Sequence, residues 1–121
     1  MDAFTRGYLE CAIWTATDDA GNSLDHLGYI FDDFAPEAIA QAEKECRDFQ
    51  ETNADLLRQF QAITGQDADY CGHDFSLTRN GHGTGFWDRG AGQVGDQLTA
   101  ACKPYGEVSV YVGNDNRLYF G

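Results

Sequence analysis

Glycine and charge are sorted along this chain in opposite senses, and that sorting limits the folds open to it. Residues 1–70 hold 4 of the 14 glycines and carry 15 acidic against 4 basic side chains. Residues 71–121 hold the other 10 glycines, with 5 acids and 4 bases. Glycine weakens helix interiors and marks turns, so this arrangement predicts helices first and turn-linked strands after. A length of 121 residues favours one domain, because two cores of about 60 residues each would sit near the lower limit for folding alone. The expectation is a single α+β domain over 1–121, with an acidic helical part (1–70) and a Gly-rich sheet part (71–121).

Hydrophobic periodicity places the elements. Tyr8, Leu9, Ala12, Ile13 and Ala16 share one helical face, which predicts a helix from Phe4 to about Ala16. A strand is the rival there, since Ile13, Trp14 and Thr15 are good strand formers. Asp18 to Ser23 reads as a turn-rich loop, and Leu24 to Phe34 as an irregular connection. Asp33 and Pro36 mark a second helix start, with Ile39, Ala42, Cys46 and Phe49 as its buried stripe. Asn53 can cap a third helix with Leu56, Leu57, Phe60 and Ile63 inward, closed by Gly65. Phe75, Leu77 and Arg79 alternate with Asp74, Ser76 and Thr78, and Asn80-Gly81 is a hairpin-turn signal. A strand over these residues should therefore pair with Thr84–Asp88 and bury Trp87. Val94, Leu98, Ala101, Cys102 and Tyr105 predict a helix. Val108 to Val112 and Arg117 to Phe120, joined by Asn114-Asp115-Asn116, predict a last hairpin. The full expectation is three N-terminal helices followed by β-hairpin, helix, β-hairpin in a mostly antiparallel sheet.

Composition narrows function. The net charge of −12 makes direct binding to DNA, RNA or an anionic membrane unfavourable. No apolar run approaches the roughly 18–20 residues that span a bilayer. Met1–Arg6 has neither a basic nor an apolar signal segment, so no export is expected. Cys11, Cys46, Cys71 and Cys102 are then predicted to be reduced, buried thiols rather than disulfides.

Few constellations could carry chemistry. On the predicted hairpin, His73 and Asp74 would lie beside Asp88 and Arg89, a candidate site for a small ligand or for acid–base work. His82 would lie at the turn, roughly 25–30 Å from His73 along a straight strand, too far to share a metal. Cys71-Gly72-His73 lacks the paired ligands of a zinc site, and Asp67, Asp69 and Asp74 would oppose a thiolate there. The run Asn80–Gly85 is Gly-rich but is expected to join strand to strand, unlike a phosphate loop that opens a helix. No metal and no cofactor are expected.

The remaining signal is acidic. Asp18, Asp19, Asp32 and Asp33 cluster in loops, and Glu37, Glu45 and Asp48 are expected on the outer face of the second helix, with Glu43 paired to Arg47. Such a surface suits a basic partner.

The block His73-Asp74-Phe75-Ser76-Leu77-Thr78-Arg79-Asn80-Gly81-His82-Gly83-Thr84-Gly85-Phe86-Trp87-Asp88-Arg89-Gly90 resembles one in small proteins of tailed bacteriophages and prophages. The resemblance extends to Tyr111–Asp115 and, more loosely, to Tyr8–Trp14 and Asp32-Asp33. It implies a phage or prophage accessory protein acting in the cytoplasm of the bacterial host, and it implies no reaction. The leading expectation is a non-enzymatic, anti-defence or anti-CRISPR-like protein. It would bind and inhibit a host nucleic-acid-handling or defence protein through acidic mimicry. A small enzyme or ligand-binding protein with its site at His73, Asp74, Asp88 and Arg89 is the alternative, and a phage structural or assembly role a third.

Overall fold

The computed structural model describes residues 1–121. Its centre is a pair of helices far apart in sequence, α1 (Ala3–Trp14) and α4 (Ala68–Arg79). Asp2 starts α1: its Oδ1 accepts from Thr5 N–H at 2.8 Å, satisfying a donor the helix itself cannot. The two helices meet at Gly7 and Gly72. A Cβ on Gly7 would run into the Asp69 carbonyl, and one on Gly72 into that of Phe4. Both glycines are there because only a missing side chain lets the backbones approach so closely.

The other helices wrap this pair. α2 (Pro36–Thr52) begins at a proline, whose absent N–H costs nothing in a first turn. It packs Ala38, Ala42, Cys46 and Phe49 inward. α3 (Ala54–Thr64) buries Leu57 and Phe60 and stops at Gly65, whose φ of 73° is left-handed. α5 (Gln93–Cys102) buries Leu98 and Cys102. Phe49 and Phe75 stack at the core with ring centroids 4.3 Å apart, and Phe4, Tyr8, Phe86 and Tyr105 surround them.

The only sheet is a hairpin of β1 (Val110–Val112) and β2 (Leu118–Phe120), antiparallel with Tyr111 opposite Tyr119. Ala35 N–H donates to the Leu118 carbonyl at 2.9 Å, which pins β2 to the start of α2.

The fold therefore corrects the expected class: five helices and one two-stranded sheet replace helices followed by hairpin, helix, hairpin. The expected strand at Phe75–Arg79 is the second half of α4. This helix buries Cys71, Gly72, Asp74, Phe75, Ser76, Leu77 and Arg79, nearly its whole circumference. A helix buried all round loses the one-sided period that identifies it, and an accidental alternation over six residues took its place. Asn80-Gly81 does not turn a hairpin. Gly81 has φ 68°; its N–H donates to Thr78 O at 3.2 Å and that of His82 to Leu77 O at 3.0 Å. That is the hydrogen-bond pattern of a glycine-terminated helix. The partner strand expected at Thr84–Asp88 is a loop with a short 3-10 turn at Phe86–Asp88. It buries Phe86, while Trp87, expected in the core, is 46% exposed. At the start of α2 the flanking residue is Ala35; the Asp33 carboxylate instead accepts from Ile30 N–H at 2.8 Å in the preceding turn. Ile63, expected inward on α3, is exposed.

Candidate functional site

His73, Asp74 and Arg89 do come together, by a route the hairpin reading did not contain. Asp74 projects from α4 and is 0% exposed. The loop after α4 returns Arg89 to it, with Nη2–Oδ1 at 2.8 Å and Nε at 3.2 and 3.3 Å from the two oxygens. Gln66 Nε2 approaches Oδ2 at 3.5 Å. Hydrogen bonding to Asp74 raises the Arg89 pKa above its already high value, so the guanidinium stays charged. Asp88 is not part of this group; its Oδ2 accepts from Thr84 Oγ1 at 3.0 Å.

Above the ion pair lies an open hollow of about 570 Å³, lined by Trp14, Tyr70, His73, Asp74, Thr84 and Arg89 among others. Trp14 and Tyr70 are both exposed there, and the His73 ring lies 6.1 Å from that of Tyr70. The Asp74 oxygens are turned to Arg89 and Gln66, not to His73. General acid–base work needs a carboxylate or base aimed at the reacting proton; here the carboxylate holds the fold. His82 lines a different hollow, beside β1.

The thiols are equally occupied by structure. All four cysteines are free and buried. Burial pushes Cys11 up to about 11 and Cys46, Cys71 and Cys102 to about 12. They are neutral at physiological pH and make poor nucleophiles. No group of three or more His, Cys, Asp or Glu side chains converges to hold a metal ion.

The seven candidate acids divide. Glu45 is half-buried and turned inward: its Oε1 lies 2.5 Å from the buried Arg79 Nη1. Arg79 also donates to Tyr8 Oη at 3.0 Å and to the carbonyls of Gly106 and Tyr105 at 2.9 and 2.8 Å. One buried guanidinium thus ties together α1, α2, α4 and the turn after α5. Asp48 accepts from Tyr105 Oη at 2.5 Å. Asp18 accepts from Asn22 N–H at 2.8 Å and Ala20 N–H at 3.0 Å; these bonds, that of Asn22 foremost, hold its carboxyl below the usual range. Asp33 is used in its own turn. Asp19, Asp32 and Glu37 remain exposed, without hydrogen-bond partners. The expected Glu43–Arg47 pair is not among the four ion pairs, which join Arg6 to Glu10, Arg58 to Asp55, Arg79 to Glu45 and Arg89 to Asp74.

Sequence reading missed the Arg79–Glu45–Tyr8 network. A signal for it existed: Tyr8 lies on the buried stripe of α1, and a buried phenol needs a polar partner.

Comparison of the chain with family models, with curated proteins and with solved structures finds no match. No helix is long and apolar enough to cross a membrane.

Proposed function

We propose that this chain is a phage-type accessory protein that works by binding. It offers an acidic surface to a basic face of a host protein, one that handles nucleic acid or defends against phage, in the cytoplasm of the bacterial host. One observation carries the reading: folding does not neutralise the charge. Of the 20 carboxylates, four enter ion pairs, leaving sixteen outside them. Of the 8 Lys and Arg, the same pairs use four, leaving Lys44, Arg47, Lys103 and Arg117. Such a field accelerates encounter with a cationic groove and weakens over a Debye length, about 8 Å at physiological salt.

The test uses acids that hold nothing else. Asp19→Lys, Asp32→Lys and Glu37→Lys together shift the charge by six units without touching Arg79 or the turn bonds. The immobilised chain, exposed to bacterial lysate, should retain a basic nucleic-acid-handling protein that raised salt releases. The triple variant should associate with it at least about tenfold more slowly. Retention indifferent to salt and to the reversals would overturn the reading. The hollow beside Trp14, Tyr70, His73 and Arg89 supports a second one, a small-ligand site. An aromatic or anionic compound bound there would shift the His73 ring resonances with no protein partner present.

A further inference from the structure

We propose that the outer edge of β1 is a docking groove for an extended, Lys/Arg-bearing segment of the partner, added as a strand between β1 and the Thr17 segment. This rests on the reading above that the partner is basic, and says where and how it is held.

The hairpin's hydrogen bonds decide which backbone groups of β1 are used. Ser109 and Gly121 exchange both of theirs, at 3.1 and 2.9 Å, and Gly113 N–H donates to Arg117 O at 2.8 Å. With Tyr111 opposite Tyr119, the odd-numbered residues of β1 face β2. In an antiparallel ladder the alternate residues then aim their N–H and C=O groups the other way. Those of Val110 and Val112 have no partner in the protein.

The opposite wall shows the same feature. Thr17 bridges Ser23 in antiparallel fashion. The bonds that flank this bridge are Asp18 N–H to Asn22 O at 2.8 Å and Leu24 N–H to Ala16 O at 3.0 Å. Thr17's own N–H and C=O therefore turn away from Ser23 and are also unpartnered. Between the walls lie two hollows, of about 310 and 400 Å³, that both touch Thr17 and together run along β1 and the residues just before it, from Glu107 to Val112. The Val108 N–H is already taken by Asn80 Oδ1 at 2.9 Å, so the open edge begins at Val110. A guest strand would pair with both edges at once and complete a sheet that the chain leaves open. Unpaired edges of this kind are the usual template for strand addition.

Charge chooses the occupant. Glu107 stands at one end of the groove, and Asp18 and Asp19 at the other. No Lys or Arg lines either hollow. The floor includes Ala12 and Ala16, small side chains that leave room for small apolar residues. Tyr111 is exposed on the outer face, where a guest Lys or Arg can lie against its ring. A guest with basic residues outward and small apolar ones inward fits. A second copy does not: it would bring another −12 against this one and oppose Asp18 and Asp19 to acids.

The probe is a capped seven-residue peptide of alternating Lys and Val, titrated into the full chain and followed by amide hydrogen exchange. Binding should weaken with salt and should slow exchange at Val110, Val112 and Thr17. The same peptide N-methylated at alternate amides keeps its charge but cannot join a ladder, and should bind at least about tenfold more weakly. Equal binding of both peptides, without amide protection, would overturn the strand-addition proposal while leaving the acidic-surface reading standing. Absence of binding by either peptide would overturn it too, and the lysate experiment then decides the acidic reading independently. Protection of the same amides by self-association, without peptide, would also overturn it by making the occupant a second copy.

Discussion

Arg89 and Asp74 show what a buried charge costs and why it is kept. Asp74 is fully enclosed, and only the fork of Arg89, itself 32% exposed at the side chain, balances it. Arg89→Met leaves that carboxylate without its counter-ion and should lower stability by about 3 kcal/mol, the low end of the usual range because water still reaches the arginine. Replacing both, Asp74→Leu with Arg89→Met, removes the charge with its partner and should recover most of the loss. Urea unfolding of the two variants measures the difference; equal losses would mean that the ion pair is not what the site needs. These two residues were legible in the sequence as neighbours, but for the wrong reason. A paired strand and a helix followed by a returning loop both bring residue 74 near residue 89. Only the second buries Asp74.

At the scale of elements, the segment from α4 to α5 shows where local pattern and tertiary demand diverge. The alternation of Phe75, Leu77 and Arg79 reads as a strand, yet each packs against a different neighbour on a central helix. Phe75 meets Phe49 and Tyr105, and Arg79 meets Glu45. The loop behind it is fastened by Thr78, whose Oγ1 accepts from Phe86 N–H at 3.1 Å. A Cβ on Gly85 would collide with that hydroxyl, so glycine is required where the loop crosses the helix. Phe86→Ala should cost about 3–5 kcal/mol, since its ring is enclosed between Phe49 and Phe60. Trp87→Ala should cost only about 0.5 kcal/mol, the value for an exposed position. Thermal melts of the two variants check this, and similar shifts would mean that the loop is anchored differently.

For the molecule as a whole, the four thiols report on global opening. Cys11, Cys46, Cys71 and Cys102 sit in α1, α2, α4 and α5, all buried, so no local fraying exposes them together. An alkylating reagent should leave the native chain unlabelled over the time in which four labels enter the unfolded one. Fast native labelling would contradict the packing. Their titration also sets an alkaline limit. Each folded pKa lies above the ordinary thiol value of 9.0. The unfolded chain therefore loses these protons first as pH rises. Their contribution to stability is complete below pH 9.0 and is lost on the way to about 11 or 12. Denaturant midpoints should accordingly fall through that window, and a Cys46→Ala variant should show a shallower fall.

The sequence alone determined what depends on neighbours along the chain. It located the helices of the acidic part through their one-sided apolar stripes, the glycine stop at Gly65, the turn at Asn114–Asn116 and the excess of carboxylates. It could not determine what depends on encirclement. Whether α4 has a solvent face, whether Asn80-Gly81 reverses a strand or ends a helix, and whether Glu45 faces water or Arg79 are decided by what packs around them. The free edge of β1 is of the same kind. Whether a strand lacks a neighbour is a property of the assembled sheet, because the residues of a paired strand and of an unpaired one can be identical.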